Sequence, residues 1–299
     1  MSMGLTIMIT GALVAASCGF LGCFLILRRM AMLGDAISHA VLPGIVIAFL
    51  ISGTRDSLAM LVGAAILGLL CTFFIQTLKQ QGVQNDAAIS VTFTALFAIG
   101  VILVSLYARQ VDLDLDCVLY GEIAYVPWDT FILFGNDMGP KAIWAVGGAF
   151  LISLIVVGLL FKQFKLVTFD PNMAAALGIP VLFIHYLLMG LVSLTTVASF
   201  ESVGAILVVA MLIVPAATAY LLTDKLEKML GLSVLTGIAS SVLGYGAALW
   251  LDASIAGTMT GVAGLLFLLA LLFSPLHGIV TRWFIRHRLR TALSKEGID

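Results

Sequence analysis

Long apolar runs separated by short polar stretches repeat along the whole chain. A hydrocarbon core about 30 Å thick requires roughly 20 apolar residues per helix, so the chain has room for eight or nine spans. Reading the apolar runs against the charges between them gives nine. We therefore predict an all-α polytopic membrane protein with nine transmembrane helices, eight being the alternative. The predicted spans are 5–27, 31–52, 58–78, 87–108, 142–161, 180–199, 203–222, 230–251 and 257–275.

Composition narrows the function classes. Of the 299 residues, 62% are hydrophobic and 10% are charged, whereas roughly a quarter of the residues in soluble domains are charged. Almost no sequence is left for a soluble domain, and the net charge of −1 indicates no polyanionic partner such as nucleic acid. A soluble enzyme, a nucleic-acid binder and a disulfide scaffold are excluded. The remaining classes are a channel, a transporter and an intramembrane enzyme.

Basic residues predict how the chain is oriented across the membrane. All but three of the 15 Lys and Arg residues fall on one side of the nine spans, which is then the cytoplasmic side. We predict an external N-terminus, a transmembrane domain over 1–281 and a basic cytoplasmic tail over 282–299. The longest external loop, 109–141, belongs to an acidic outer mouth that would attract cations, although a plain solvated loop explains the same charges. This loop could dock a partner.

Two ionisable residues stand inside the second span. A charged side chain at the centre of a span costs about 2.5–3.5 kcal/mol, so such residues indicate function. Asp35 and His39 are four residues apart and share one helix face, at depths of about 10 and 16 Å for a rise of 1.5 Å per residue. A carboxylate with an imidazole suits Mn, Zn or Fe(II). A hydrogen-bonded Asp–His pair that only holds helices together is the alternative.

Two prolines predict breaks in the spans. Pro43 removes the amide that would bond to the carbonyl of His39, and a free carbonyl in lipid is tolerated beside protein, water or an ion. Pro215 would release the carbonyl of Met211 in the same way and line the path, although a kinked packing helix is the alternative. Both prolines are predicted helix breaks along an ion path.

Other polar residues give weaker signals. Glu201, placed at the outer end of the seventh span, could be a gate ligand for the metal, a charge favoured by a helix N-terminus or an exposed residue. Asp86 is interpreted as a helix cap and His185 as a packed residue. Since Asp35 and His39 cannot complete the coordination of a metal alone, we expect a dimer with the site near its interface.

One predicted cytoplasmic segment carries strong helix-terminating signals. Asp170 can cap a helix that begins with Pro171, Gly178 can close it and Pro180 can stop it. A helix this short is not stable alone, so it indicates a docking partner.

Three motifs now show a resemblance. They are RRMAMLGDAISHAVLPG at 28–44, FDPNMAAALGI at 169–179 and VGAILVVAMLIVPAATAYLLT at 203–223. The chain closely resembles the permease subunits of bacterial ATP-binding-cassette importers for manganese, zinc and iron, and the hydropathy pattern extends the likeness over essentially its whole length. The YGEIAYVPWD loop and the acidic mouth are most similar to the manganese branch.

The resemblance implies a multi-pass protein of the bacterial plasma membrane that imports a divalent metal, most simply manganese, by alternating access. It implies no tightly bound cofactor, and its partners are a cytoplasmic ATPase dimer, an external metal-binding protein, a second permease copy or paralogue, and membrane lipid. Asp35 and His39 would line the metal path. The coupling helix at 169–179 would contact the ATPase through Asp170, Pro171, Ala174, Ala175 and Gly178.

The chain has no GxxxxGK[ST] motif, so it is not predicted to be an enzyme, and ATP hydrolysis would belong to a separate subunit. The runner-up function is a proton- or ion-coupled secondary metal transporter. That class usually has inverted repeats, and the sequence shows none.

Overall fold

The helices of the computed structural model follow the predicted spans. The structure describes residues 3–52, 57–107, 123–133, 136–274 and 278. Nine spans of its described part are long and apolar enough to cross a membrane, and their ends lie within four residues of the prediction. The helices are α1 Met3–Leu27, α2 Met32–Ala40, α3 Leu42–Ser52, α4 Ser57–Gln80, α5 Asn85–Tyr107, α6 Lys141–Leu159, α7 Phe161–Phe169, α8 Pro171–Ala176, α9 Val181–Val203, α10 Ala205–Leu222, α11 Leu226–Leu251 and α12 Ile255–Phe273.

Helix α1 lies at the centre of the bundle. It packs against α6, α9, α10 and α11, and small or apolar residues cover its whole circumference, as expected of a largely buried helix. Its hydroxyl groups are satisfied locally: Thr10 Oγ1 donates to the carbonyl of Thr6 at 3.0 Å, and Ser17 Oγ to that of Val14 at 3.0 Å. These bonds remove the cost of burying polar groups away from water.

Close helix contacts around α1 depend on glycine. A β-carbon at Gly22 would overlap the carbonyl oxygen of Leu212 on α10. On the α11 side, Ser233 Oγ donates to the carbonyl of Gly19 at 2.8 Å. Small residues that let backbones approach, with hydroxyls that bond across the contact, are the usual means of helix association in membranes. The α1–α10–α11 group therefore forms a tight core.

The remaining helices surround this core. Helix α2 packs against α4, α5, α9 and α10, and α3 packs against α4 and α5. Large apolar side chains of α6 and α12, including Leu151, Ile155, Leu265 and Phe273, point away from the bundle. These faces meet lipid in a membrane.

A small structure outside the spans departs from the all-α prediction. A 3₁₀ helix at Ile123–Trp128 precedes two antiparallel strands, β1 Thr130–Leu133 and β2 Asn136–Pro140. Ile123 and Val126 of the 3₁₀ helix are buried. A two-stranded hairpin this short gives little hydropathy signal. The predicted tail at 282–299 and the 109–122 part of the predicted external loop lie outside the described residues.

The α1–α10 contact gives a stability prediction. We expect Gly22→Ala to lower the melting temperature of the purified protein, because a methyl group there must push against the α10 backbone, at a cost of about 1–3 kcal/mol. Gly148→Ala on α6 is the matched control, since a β-carbon there meets nothing within 4 Å. Size-exclusion thermostability in detergent measures both. Equal melting temperatures for Gly22→Ala and the wild type would contradict the packing argument.

Candidate functional site

The two ionisable side chains of the second span lie one turn apart on α2. His39 Nε2 is 3.6 Å from Asp35 Oδ1, and the side chains keep 35% and 40% exposure respectively. Ala36 and Ile37 between them are fully buried. The pair thus forms a polar stripe beside the buried residues of α2, and both side chains can turn towards a common ion.

Aromatic rings restrict the His39 side chain. The His39 ring lies 5.7 Å from the Phe97 ring and 6.1 Å from the Phe93 ring, both on α5. Ser38 Oγ donates to the carbonyl of Asp35 at 2.7 Å. The aromatic wall limits the rotation of the imidazole and excludes water on one side, so charge interactions at the pair are stronger than in bulk solvent.

A cavity of about 330 Å³ lies between Asp35 and the start of α5. Its lining residues are Met32, Asp35, Asp86, Ile89, Ser90 and Phe93. Asp86 was predicted to be a helix cap, and the structure instead gives its side chain a place in the same cavity as Asp35. The sequence contains this information, because spacings of four and three residues place Asp86, Ser90 and Phe93 on one face of α5.

The donor set favours a borderline or moderately hard cation. Asp35 offers carboxylate oxygens and His39 an imidazole nitrogen, a pair that suits Mn, Zn or Fe(II) more than Cu(I). No group of three or more His, Cys, Asp or Glu side chains is close enough to hold a metal ion among the residues that the structure describes. An ion held by Asp35 and His39 would therefore need further ligands of another kind, such as water, a backbone carbonyl or a group of another chain.

The helix breaks at the two prolines have different outcomes. The second span is interrupted at Val41, between α2 and α3, and Pro43 stands in the first turn of α3, as predicted. Helix α10 instead continues through Pro215, so the prediction of a second break was wrong. Pro215 approaches Gly19 of α1, and its carbonyl accepts a 3.4 Å hydrogen bond from Thr236. Packing on both sides preserves the helix although one amide is missing, and it gives Pro215 a packing role.

Glu201 occupies a different position from the predicted one. It lies in the last turn of α9, so the interpretation as a favoured charge at a helix N-terminus was wrong. Its side chain borders a cavity of about 230 Å³ together with Asp129 and Lys141, whose Oδ1 and Nζ atoms are 2.7 Å apart. This outer cavity lies beside the 3₁₀ helix. Its charged lining lies at the predicted external end, and the gate-ligand role of Glu201 stays a prediction.

At the opposite end of the bundle, the short helix α8 is terminated as the sequence predicts. Asp170 Oδ1 accepts a 2.9 Å hydrogen bond from the amide of Met173, and Pro171 is the first helical residue. Gly178, with φ +78°, follows the helix, and the Gly178 and Ile179 amides bond to the carbonyls of Ala175 and Ala174. Both ends are thus fixed by the Asp170 cap and the Gly178 turn.

Helix α8 also presents an apolar face. Ala174 is buried against the bundle and Ala175 is exposed, and three larger apolar side chains of this segment are exposed as well, namely Phe169, Met173 and Leu177. Exposed apolar side chains beside a rigid, capped helix are typical of a protein contact.

Comparison with protein families gives one match over nearly the whole chain. The model of the ABC 3 transport family matches residues 3–274. Among curated proteins, the manganese transport system membrane protein MntD of Bacillus subtilis is 56% identical over 282 residues, covering 94% of this chain and 96% of MntD. The zinc transport system membrane protein TroD of Treponema pallidum is 42% identical, covering 97% of this chain and 79% of TroD.

A solved structure agrees with the fold. PsaBC from Streptococcus pneumoniae, in complex with Fab, contains a chain that is 34% identical and superposes with a TM-score of 0.76. The match covers 93% of this chain and 94% of that chain.

The site gives a prediction for cation binding. We expect Asp35→Asn and His39→Ala each to weaken Mn²⁺ binding to the purified protein at least about tenfold, the lower limit for losing even an outer-shell partner. Asp86→Asn should weaken binding less, since it removes only a nearby charge. Asp252→Asn is the control, because Asn tolerates the left-handed backbone of Asp252. Isothermal titration calorimetry measures all four. If Asp35→Asn and His39→Ala both bind Mn²⁺ with the wild-type affinity, the pair has only a structural role.

Proposed function

The chain belongs to the ABC 3 transport family, and on this premise we propose that it is the membrane-spanning subunit of an ATP-driven importer of divalent transition metals, with manganese as its substrate. Zinc and iron are the next candidates. As a permease, it is a transport subunit and not an enzyme, and it is a multi-pass protein of the bacterial plasma membrane.

The observation that carries the proposal is the Asp35–His39 pair inside the second span, beside a cavity that contains Asp86. Ionisable groups within a span are costly and mark ion pathways. A transport site must bind its ion and also release it, so a small set of ligands with room around it is more suitable than a closed cage. The oxygen and nitrogen ligands, together with the manganese and zinc relatives, support a divalent transition metal as substrate.

A second permease completes the site in this proposal. Asp35 and His39 are partly exposed, and a copy related by a two-fold axis would present the same two side chains to the same ion. Four protein ligands would then surround the metal. The partner is an identical chain or a paralogous permease.

Two faces would receive the other subunits. The outer cavity at Asp129, Lys141 and Glu201 lies on the predicted external end, where a metal-binding protein would deliver the ion. On the predicted cytoplasmic end, α8 would act as the coupling helix that contacts an ATPase dimer through its exposed apolar side chains. ATP binding would move α8, and the Asp35–His39 site would open outwards and inwards in turn. The orientation used here is the one that the basic residues predict.

The alternative of an ion-coupled secondary transporter has less support. It requires no ATPase and gives no use to a short helix with a cap at one end and a glycine turn at the other. Family membership also favours ATP-driven transport.

Uptake by a reconstituted complex tests the function. The chain is placed in proteoliposomes with its ATPase subunit and binding protein, and uptake of radiolabelled manganese and zinc is measured with and without ATP. We expect ATP-dependent uptake, with manganese preferred, and its loss in Asp35→Asn and His39→Ala complexes that still assemble. Uptake driven by a proton gradient without ATP would support the secondary transporter instead.

The cap of α8 gives a separate prediction. We expect Asp170→Ala to weaken association with the ATPase subunit, because losing a helix cap costs about 0.5–2 kcal/mol and α8 has few residues to hold it in place. Co-purification of the ATPase subunit in detergent measures the effect. Asp224→Ala, an exposed carboxylate in the turn before α11 at the same end, is the control. Equal recovery of the ATPase subunit with both variants would argue against α8 as the contact.

A further inference from the structure

The connection between α1 and α2 is a rigid corner. The amides of Arg29 and Met30 bond to the carbonyls of Ile26 and Leu25 at 3.0 and 2.8 Å, the pattern of a Schellman turn. Arg29 takes the left-handed conformation with φ +56°, which a residue other than glycine seldom adopts. Met30 is buried. The corner therefore defines the direction in which the chain leaves α1 towards Asp35 on α2.

The side chain of Arg28 extends from this corner to two other elements. Its Nε donates to Thr168 Oγ1 at 3.2 Å, and its Nη1 lies 3.5 Å from His185 Nδ1. Thr168 is the last residue but one of α7 and stands two positions before the Asp170 cap of α8. His185 lies in the second turn of α9, so this histidine, predicted to be only a packed residue, has a polar partner. Arg28 thus touches the segment that carries α8.

The same corner contacts α5. Asn85 Nδ2 donates to the carbonyl of Arg29 at 3.5 Å, and α5 supplies the aromatic rings beside His39 and the Asp86 carboxylate of the cavity. A displacement of α8 therefore has a short physical route to both walls of the site. It passes through Thr168, then Arg28, then the corner.

Arg28 is half-buried, which is unusual for a charged side chain. The ion pairs of the described part of the chain do not include it, and burial lowers its pKa to about 10, which leaves it charged at neutral pH. Its Nη2 and Asn85 Oδ1 are both buried without a hydrogen-bond partner among the described residues. One is a donor and the other an acceptor. A donor and an acceptor left unused in buried positions are rare in native structures.

We propose that Arg28 is a positioning residue that links α8 to the Asp35–His39 site, so that movement of the ATPase contact and opening of the metal site occur together. The proposal rests on the proposed function. Arg28 does not bind the metal. It holds the α7–α8 segment to the corner from which α2 begins, and its fork of donors bonds to two elements at once, which the single ammonium of lysine does not reproduce.

The experiment measures coupling. Arg28→Gln, Arg28→Lys and Thr168→Val are reconstituted with the ATPase subunit and the binding protein, and manganese uptake and ATP hydrolysis are followed in the same vesicles. We expect the amount of manganese transported per ATP to fall by roughly tenfold in Arg28→Gln, within the range of residues that carry coupling between distant sites. Mn²⁺ affinity by calorimetry should stay at the wild-type value. Arg28→Lys should recover little of the wild-type amount of manganese transported per ATP.

Arg29→Gln is the matched control, because Arg29 is the exposed neighbour in the same corner and should leave the ratio unchanged. The double variant of Arg28→Gln and Thr168→Val should be no worse than Arg28→Gln alone, since both remove one contact. Where Arg28→Gln fails to assemble, Thr168→Val gives the same test, because it removes one hydroxyl and no charge.

Two results would overturn the proposal. One is a parallel loss of uptake and ATP hydrolysis at an unchanged ratio, which indicates a structural role. The other is wild-type coupling in both Arg28→Gln and Thr168→Val. Failure of the proposed function is seen separately, as absence of ATP-dependent manganese uptake in the wild-type vesicles. If that uptake is absent, coupling is measured instead as the stimulation of ATP hydrolysis by the binding protein.

Discussion

Hydrocarbon offers a protein no hydrogen bonds, and this constraint governs both the framework and the site of the chain. Backbone groups must be satisfied within helices, and side-chain hydroxyls must bond nearby. Thr10 and Ser17 meet the constraint within α1, and Ser233 meets it by bonding to the carbonyl of Gly19. Asp35 and His39 do not fit so easily. They remain partly exposed on a buried helix, beside a cavity that has a second carboxylate at its edge.

The Asp35–His39 site is connected to the rest of the molecule through α2. Helix α2 is only nine residues long, and it is bounded by the left-handed corner at Arg29 on one side and by the interruption at Val41 on the other. A short rod between two defined ends moves as a unit more readily than a segment of a long continuous helix. The polar contacts at its first end reach α7, whose last residues lead into the capped helix α8.

Sequence alone predicted the number of spans and their ends to within four residues, because hydropathy reports directly on the solvent of each segment. The ends of α8 followed from Asp170, Pro171 and Gly178, whose effects are local. Predictions failed where contacts between distant parts of the chain determine the local structure. Hydropathy ended the sixth span early, but the backbone continues through Glu201 to Val203. Pro215 did not break α10, since α1 and α11 pack on either side of it. Asp86 was missed because a cap and a cavity residue have the same local sequence, and only the packing of α5 on α2 separates them.

The central place of α1 has a consequence for biogenesis. This helix is synthesised well before its principal neighbours, α10 and α11, which begin at Ala205 and Leu226. During translation, α1 enters the membrane long before the surfaces that will bury Gly19 and Gly22 exist. Its own side-chain hydrogen bonds keep Thr10 and Ser17 satisfied during that interval. Helix α1 therefore acquires its native surroundings only after α10 and α11 have been synthesised, and those two helices close the core around it.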